Sequence, residues 1–278
     1  MADYLRPSSL GDALDALADR PWTMLAGGTD VYPANVGRPL SDDMLDVTGL
    51  ESLRAISIED GDVRIPALTT WMDIVRADLP PAFDGLKIAS RSIGGVQIQN
   101  RGTLVGNLCN ASPAADGLPN LIALDARVEL SSRTGRREVT VGEFVVGNRR
   151  TIRRADELVT AILVPVPSPT AQSTFLKLGS RAYLVISIAS VAAVLDVGDD
   201  RRVTRARIVV GACSEVPRRI VAAEERLAGQ VASSKLGGSI EAADLGVLSP
   251  IDDVRGTAAY RRDVATTLVR RAVSELAR

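Results

Sequence analysis

The chain has 278 residues, 46% of them hydrophobic, and its 33 lysines and arginines nearly balance 34 aspartates and glutamates. That balance leaves no basic field to draw a nucleic acid or an anionic membrane, and three Phe, two Trp and four Tyr are too few for a base-stacking surface. Histidine is absent, which excludes Ser-His-Asp and Cys-His nucleophile systems, a His-Glu-x-x-His zinc site and histidine-ligated haem together.

The length predicts two or three subdomains around one cleft. Ser8 and Ser9 precede Leu10, Leu14 and Leu17, which recur at near-helical spacing, and predict an amphipathic helix over 9–19. A strand over 22–25 then ends in the turn Ala26-Gly27-Gly28-Thr29-Asp30. Residues 44–47 read as a strand, a first unit closes near residue 55, and 55–58 with 63–65 read as a hairpin around Glu59-Asp60-Gly61-Asp62. Thr69 or Thr70 can cap a helix that contains Trp71, Ile74 and Val75. A second glycine-rich stretch, Asn100-Arg101-Gly102-Thr103-Leu104-Val105-Gly106-Asn107, reads as a loop, with a helix over 118–126 beyond it.

Strands over 128–130 and 138–141 are joined by the turn Arg133-Thr134-Gly135, and a strand over 158–164 is stopped by Pro165. Pro165, Pro167, Ser168 and Pro169 form a short stiff linker. Strands follow at 173–179, 185–196 and 203–211, then helices at 216–228 and 254–277. The last helix is expected to start after Asp252 and Asp253, to bury Ala265, Leu268, Val269 and Ala272, and to carry Arg270 and Arg271 near its C-terminal end. Strands mixed with segregated helices indicate an α+β chain divided at 1–55, 56–169 and 170–278. The arginine clusters at 149–154 and 201–207 read as solvated faces, with docking onto a partner as the alternative.

Cys109 and Cys213 stand alone in the sequence and cannot supply the roughly four thiolates of an iron–sulfur cluster, so no metal is expected on this chain. Two cysteines without a secretory leader lead us to expect a reducing, cytoplasmic compartment. The longest mostly apolar run, 184–195, is interrupted by Ser187 and Ser190 and falls short of the ~18 residues that span a bilayer.

The two glycine-rich segments carry the chemistry. Glycine allows positive φ and close approach, so such segments can turn several backbone N–H groups toward one anion. Gly27-Gly28 alone would read as an ordinary β-turn; the pair of segments, with Thr and Asn interleaved, points to a phosphate-binding cleft. Neither Gly-x-Gly-x-x-Gly nor Gly-x4-Gly-Lys-Ser/Thr occurs, so no Rossmann fingerprint or P-loop supports that cleft.

Five blocks in order resemble the FAD-binding medium subunit of molybdenum hydroxylases of the xanthine dehydrogenase and carbon monoxide dehydrogenase type. They are Ala26 to Asp30, Ile93-Gly94-Gly95-Val96-Gln97-Ile98-Gln99-Asn100-Arg101-Gly102-Thr103, Gly106-Asn107-Leu108-Cys109-Asn110-Ala111-Ser112-Pro113-Ala114-Ala115-Asp116, Lys177-Leu178-Gly179-Ser180-Arg181, and Asp253-Val254-Arg255-Gly256-Thr257-Ala258-Ala259-Tyr260-Arg261-Arg262. The resemblance implies two N-terminal α/β subdomains that clamp FAD and a C-terminal domain of a small antiparallel sheet with helices. It further implies a large molybdopterin partner, a small partner with [2Fe–2S] clusters, and a dimer of such heterotrimers. Electrons from the clusters would collect on FAD and leave to an external acceptor, whether NAD, a quinone or oxygen. With no histidine to form a histidyl bond, FAD is expected to be non-covalent.

The resemblance also assigns roles. Backbone amides of Ala26, Gly27, Gly28 and Thr29 would cradle the pyrophosphate, with Met24, Leu25 and Asp30 beside them. Thr103, Gly106 and Asn107 would close the site, with Cys109, Asn110, Ala115 and Val159 among its neighbours. Asp116 is a candidate acceptor for a ribose or ribityl hydroxyl, or else a helix cap. Lys177 would place positive charge at the flavin N1–C2 edge, Ile93 would touch the ring, and Tyr183 would shield it. Val105 stands where a second glycine is common, which puts one amide contact in question, and Val185 stands where many relatives carry aspartate. A stand-alone FAD oxidoreductase and a non-catalytic accessory protein of the same fold are the alternatives.

Overall fold

The computed structural model describes residues 2–278, and its strands form three principal sheets that follow one another along the chain. The first is a small parallel sheet of β1 (Tyr4–Leu5), β3 (Met44–Asp46) and β2 (Thr23–Leu25), in that order. Helix α1 (Leu10–Asp19) leads into β2; Ser9 caps it, its hydroxyl accepting from the Asp12 N–H at 3.1 Å, and Ala13 and Leu17 are buried. A one-turn helix α2 (Val31–Ala34) follows β2 after the first glycine turn.

The second sheet is antiparallel where its register is defined. Strands β4 (Ser57–Glu59), β5 (Asp62–Pro66), β10 (Leu158–Pro165), β6 (Arg127–Ser132) and β7 (Gly135–Thr140) lie in that order. Helices α3 (Trp71–Arg76), α4 (Asp84–Ser92), α5 (Val96–Gln99), α6 (Leu104–Asn110) and α7 (Gly117–Ala123) occur between β5 and β6. Thr70 and Asp73 form a reciprocal capping box on α3. A second box, from Thr140 and Glu143, starts the short α8 (Val141–Phe144), which leads into the hairpin β8 (Val145–Gly147) and β9 (Arg150–Thr151). One apolar core, with Trp71, Phe83, Leu104, Leu118 and Phe144 fully enclosed, runs through both sheets and these helices.

The third sheet, β11 (Gln172–Leu178), β12 (Ala189–Val197), β13 (Val203–Gly211) and β14 (Arg218–Arg219), is antiparallel and packs on α9 (Val221–Leu227) and α10 (Ala258–Leu276) around its own core. A seam of Ala89, Ala123, Phe175, Ala192 and Val209 joins it to α4 and α7. This is the α+β arrangement expected from the sequence.

Several elements depart from the sequence reading. Strand β12 begins at Ala189, because Leu184 has a positive φ of 51° and residues 179–188 form a loop. Helix α9 starts only at Val221, since Arg218 and Arg219 extend the sheet beside Val209 and Val210. Helix α10 is capped by Thr257, whose hydroxyl accepts from the Tyr260 N–H at 3.2 Å, rather than beginning directly after Asp252 and Asp253. The second half of the predicted second loop, from Leu104 to Asn107, is helical and forms the start of α6.

The arginine clusters at 149–154 and 201–207 are for the most part exposed, as read from the sequence, and several arginines also tie parts of the chain together. Arg205, Arg207 and Arg219 converge on Asp125 at 2.6, 3.1 and 3.8 Å, across the seam. Arg137 and Arg154 hold Glu157 at 2.6 and 2.9 Å, while Arg64 makes two hydrogen bonds to Glu129 at 2.6 and 3.0 Å. Burial opposes the charge of both glutamates, but the hydrogen bonds and fields of their arginines outweigh it and hold both carboxyls below the ordinary range.

A carboxylate depressed in the folded state contributes stability that is present above its unfolded value of about 4.3 and lost as pH falls through the folded one. Thermal melts from about pH 6 to about pH 3 should therefore show the parent losing more of its Tm than Glu129→Gln or Glu157→Gln does. Equal losses in all three would contradict this account.

Candidate functional site

A cleft of about 530 Å³ opens between the first two sheets, within the range of small-molecule sites. Its floor is the turn after β2. A methyl group built on Gly27 would sit 1.9 Å from the Arg101 carbonyl oxygen and 3.0 Å from the Gly102 Cα. The two glycine-rich segments thus touch backbone to backbone, which only a residue without Cβ permits. Gly28 has φ of 70°, and the Tyr32 ring stands where its side chain would be.

The close approach leaves donors over. Among the described residues the N–H groups of Gly27, Gly28 and Thr29 go to no acceptor. Thr103 is the N-cap of α6, and its hydroxyl accepts from the Gly106 N–H at 2.9 Å; the Leu104 N–H goes to the Thr69 carbonyl at 3.2 Å. That commits Gly106 and leaves Val105 as the residue of the first turn of α6 whose amide has no protein acceptor among those described. Val105 is helical, so no glycine is required there, and it lines the cleft.

Of the residues singled out from sequence, Met24, Ala26, Gly27, Gly28, Thr29, Asp30, Ile93, Thr103, Gly106, Asn107, Cys109, Asn110 and Val159 line this one cleft. The buried Asn107 Oδ1 has no hydrogen-bond partner among the described residues. It is an acceptor placed for a hydroxyl or N–H that the protein does not provide. Unused amides on one side and an orphaned acceptor on the other fit a ligand with an anionic diphosphate and sugar-type hydroxyls.

Leu25, Ala115, Asp116, Lys177 and Tyr183 lie outside the cleft lining. Leu25 and Ala115 are core residues. Asp116 sits at the N-terminus of α7 but makes no side-chain cap. Its carboxylate instead takes Lys177 Nζ at 2.8 Å and the Ser187 hydroxyl at 2.6 Å, both partners being largely buried. Lys177 also donates to the Val185 carbonyl at 3.3 Å. Tyr183 is 76% exposed on the 179–188 loop.

The sequence reading did not single out Trp22, Val47, Trp71, Ile98, Arg153, Glu157 and Leu158, which also line the cleft. Two of them carried a signal in the sequence: Trp71 is an aromatic directly behind a threonine cap, and Ile98 stands in the block from Ile93 to Thr103. Glu157 is already committed to its arginines, so the cleft offers no unpaired general acid or base from it.

A loop-rimmed cleft that presents backbone amides from two segments defines a cofactor-binding α+β protein, and comparison with known proteins gives its family. Residues 1–167 match the FAD binding domain in molybdopterin dehydrogenase, and residues 174–276 match the CO dehydrogenase flavoprotein C-terminal domain. The chain is 33% identical over 277 residues to the glyceraldehyde dehydrogenase medium chain of Sulfolobus acidocaldarius, covering 99% of this chain and 98% of that one. It is 31% identical over 280 residues to the nicotine 6-hydroxylase medium subunit of Paenarthrobacter nicotinovorans, covering 98% and 96%. A chain of reconstituted CO dehydrogenase from Oligotropha carboxidovorans superposes with a TM-score of 0.91 at 28% identity, over 100% of this chain and 98% of that one. The chain belongs to the FAD-binding medium subunits of molybdenum hydroxylases, a family of oxidoreductase flavoproteins.

Both thiols are held in the protonated form by their surroundings. Burial pushes Cys109, in the cleft wall, and Cys213, in the C-terminal core, each up to about 11, against weaker opposing pulls from Arg153 and Arg261. At neutral pH a thiol-directed maleimide should label neither in the folded chain within the time that fully labels both in denaturant. Rapid labelling of folded Cys109, which lines the cleft, would show that its thiol is not held in the protonated form.

Proposed function

We propose that this chain binds FAD in the cleft and serves as the electron-transfer subunit of a molybdenum hydroxylase complex. It accepts electrons from [2Fe–2S] clusters on a small partner subunit and passes them to an external acceptor, while a large molybdopterin partner oxidises the substrate. The observation that carries the reading is the backbone contact of Gly27 with Arg101, which leaves the amides of Gly27, Gly28 and Thr29 unused at the floor of the cleft.

Those amides, with Val105 from the facing helix, would hold the diphosphate. Asn107 Oδ1 would accept from a hydroxyl, and Ile93 and Val159 would give apolar contact to a ring. Asp116 and Lys177, paired at the seam, would position the C-terminal domain against the cofactor-bearing half. FAD supplies the redox chemistry; the protein's part is to bind and orient it. With no histidine in the chain, it is held non-covalently.

In this reading 1–55 and 56–169 are the two FAD-binding subdomains and 170–278 is the C-terminal domain. The complex would be a cytoplasmic dimer of heterotrimers. No helix among the described residues is long and apolar enough to cross a membrane, and no group of metal-ligating side chains occurs among them. Relatives named for glyceraldehyde and nicotine support a division in which the substrate is chosen on another chain.

The purified chain, incubated with FAD and desalted, should retain flavin absorbance in one-to-one ratio and release all of it on denaturation. A preparation that takes up no FAD overturns the proposal. Gly27→Ala places a methyl against the Arg101 carbonyl and should weaken FAD binding by at least about tenfold while costing roughly 1–3 kcal/mol of stability; unchanged affinity would remove the loop contact from the site.

A further inference from the structure

The turn of the β8–β9 hairpin reaches the rim of the cleft. Arg149, with φ of 53°, anchors its own N–H on the Ala111 carbonyl at 2.9 Å and turns its guanidinium to two cleft-lining residues from different segments. Its Nη1 donates to Asn110 Oδ1 at 2.7 Å and to Asp30 Oδ2 at 3.2 Å. On the other side of the turn, Asn148 N–H and Arg150 engage Glu215 of the C-terminal part at 3.2 and 3.6 Å. The turn is therefore placed by contacts to three parts of the chain.

An ion pair this open, with the Arg149 and Asp30 side chains 61% and 55% exposed, contributes little to folding. Its location gives it another consequence. Asp30 belongs to the turn that offers the unused amides, and it lines the same cleft. A bare carboxylate there opposes a dianionic diphosphate, whereas one paired with a guanidinium does not.

We propose that Arg149 is a positioning residue for the cofactor, which cancels the charge of Asp30 at the cleft rim and so sets the affinity of the cleft for a diphosphate dinucleotide. The inference rests on the FAD reading above. It makes a sign prediction that a purely structural link does not. Arg149→Ala should weaken FAD binding by about three- to tenfold, with the difference from the parent shrinking as salt rises. Asp30→Asn, which removes the negative charge and keeps Arg149, should leave affinity equal to the parent or tighten it. The double variant Arg149→Ala with Asp30→Asn should return to within about twofold of the parent, and Arg149→Lys should bind more tightly than Arg149→Ala.

The measurement is the quenching of FAD fluorescence on titration with the flavin-free full chain, with a circular dichroism melt of each variant as the check on folding. Asp30→Asn weakening binding as much as Arg149→Ala would mark the pair as a structural link and overturn the proposal, as would Arg149→Ala binding like the parent. A parent chain that fails to bind FAD overturns the functional reading and this inference with it; a parent that binds while the variants do not separate overturns this inference alone.

Discussion

The approach of Gly27 to the Arg101 carbonyl is the constraint on which the rest of the cleft depends. A Cβ at this point would lie far inside the van der Waals contact distance to a backbone oxygen, so the two segments meet only through a glycine. Once they meet, strand β2 and helix α6 are fixed relative to each other, and the turn between β2 and α2 has nowhere to spend its amides. N–H groups left without a protein acceptor beside an open cleft are free to donate to a ligand, and an anion there would meet several of them at once.

The C-terminal third is joined to this half by charge as well as by apolar packing. Phe175, Ala192 and Val209 meet Ala89 and Ala123 along the seam, and Lys177 and Ser187 reach Asp116 at the start of α7. A buried ion pair yields little net stability against its desolvation; what it supplies is a set distance between α7 and β11. Asp125, at the other end of α7, receives three arginines from the third sheet. Helix α7 is thus held at both ends, and with α4 it sets the orientation of the two halves.

Much of the fold was legible because it follows local rules. Ser9, Thr70 and the turn at 133–135 announced α1, α3 and the β6–β7 hairpin through capping and turn chemistry, and β13 was read residue for residue. Helix α6 was not legible. Glycine and asparagine at 102, 106 and 107 argue for a loop, yet Leu104, Val105 and Leu108 are buried against the core, and tertiary packing overrode the propensity. The site was legible where it consists of backbone and small side chains in sequence, as at 24–30 and 103–110. It was illegible where it depends on which partner a charge finds: Lys177 with Asp116, Arg149 with Asp30 and Asn110, and Glu157 with Arg137 are pairings across long stretches of sequence that no local pattern encodes.

These pairings share a pattern that bears on what the cleft can hold. Both carboxylates in its lining, Asp30 and Glu157, are matched by arginines, and Arg153, which also lines the cleft, gives its Nη1 to the Arg154 and Glu157 carbonyls; the other polar groups that the cleft offers include backbone dipoles, among them the amides of Gly27, Gly28, Thr29 and Val105. Fixed dipoles stabilise an anion without placing a mobile counter-charge in the site, and they do so in a geometry that folding has already set. Shape and the apolar walls of Trp71, Ile93, Ile98 and Val159 would add contact for a ligand that carries rings, which a free phosphate lacks.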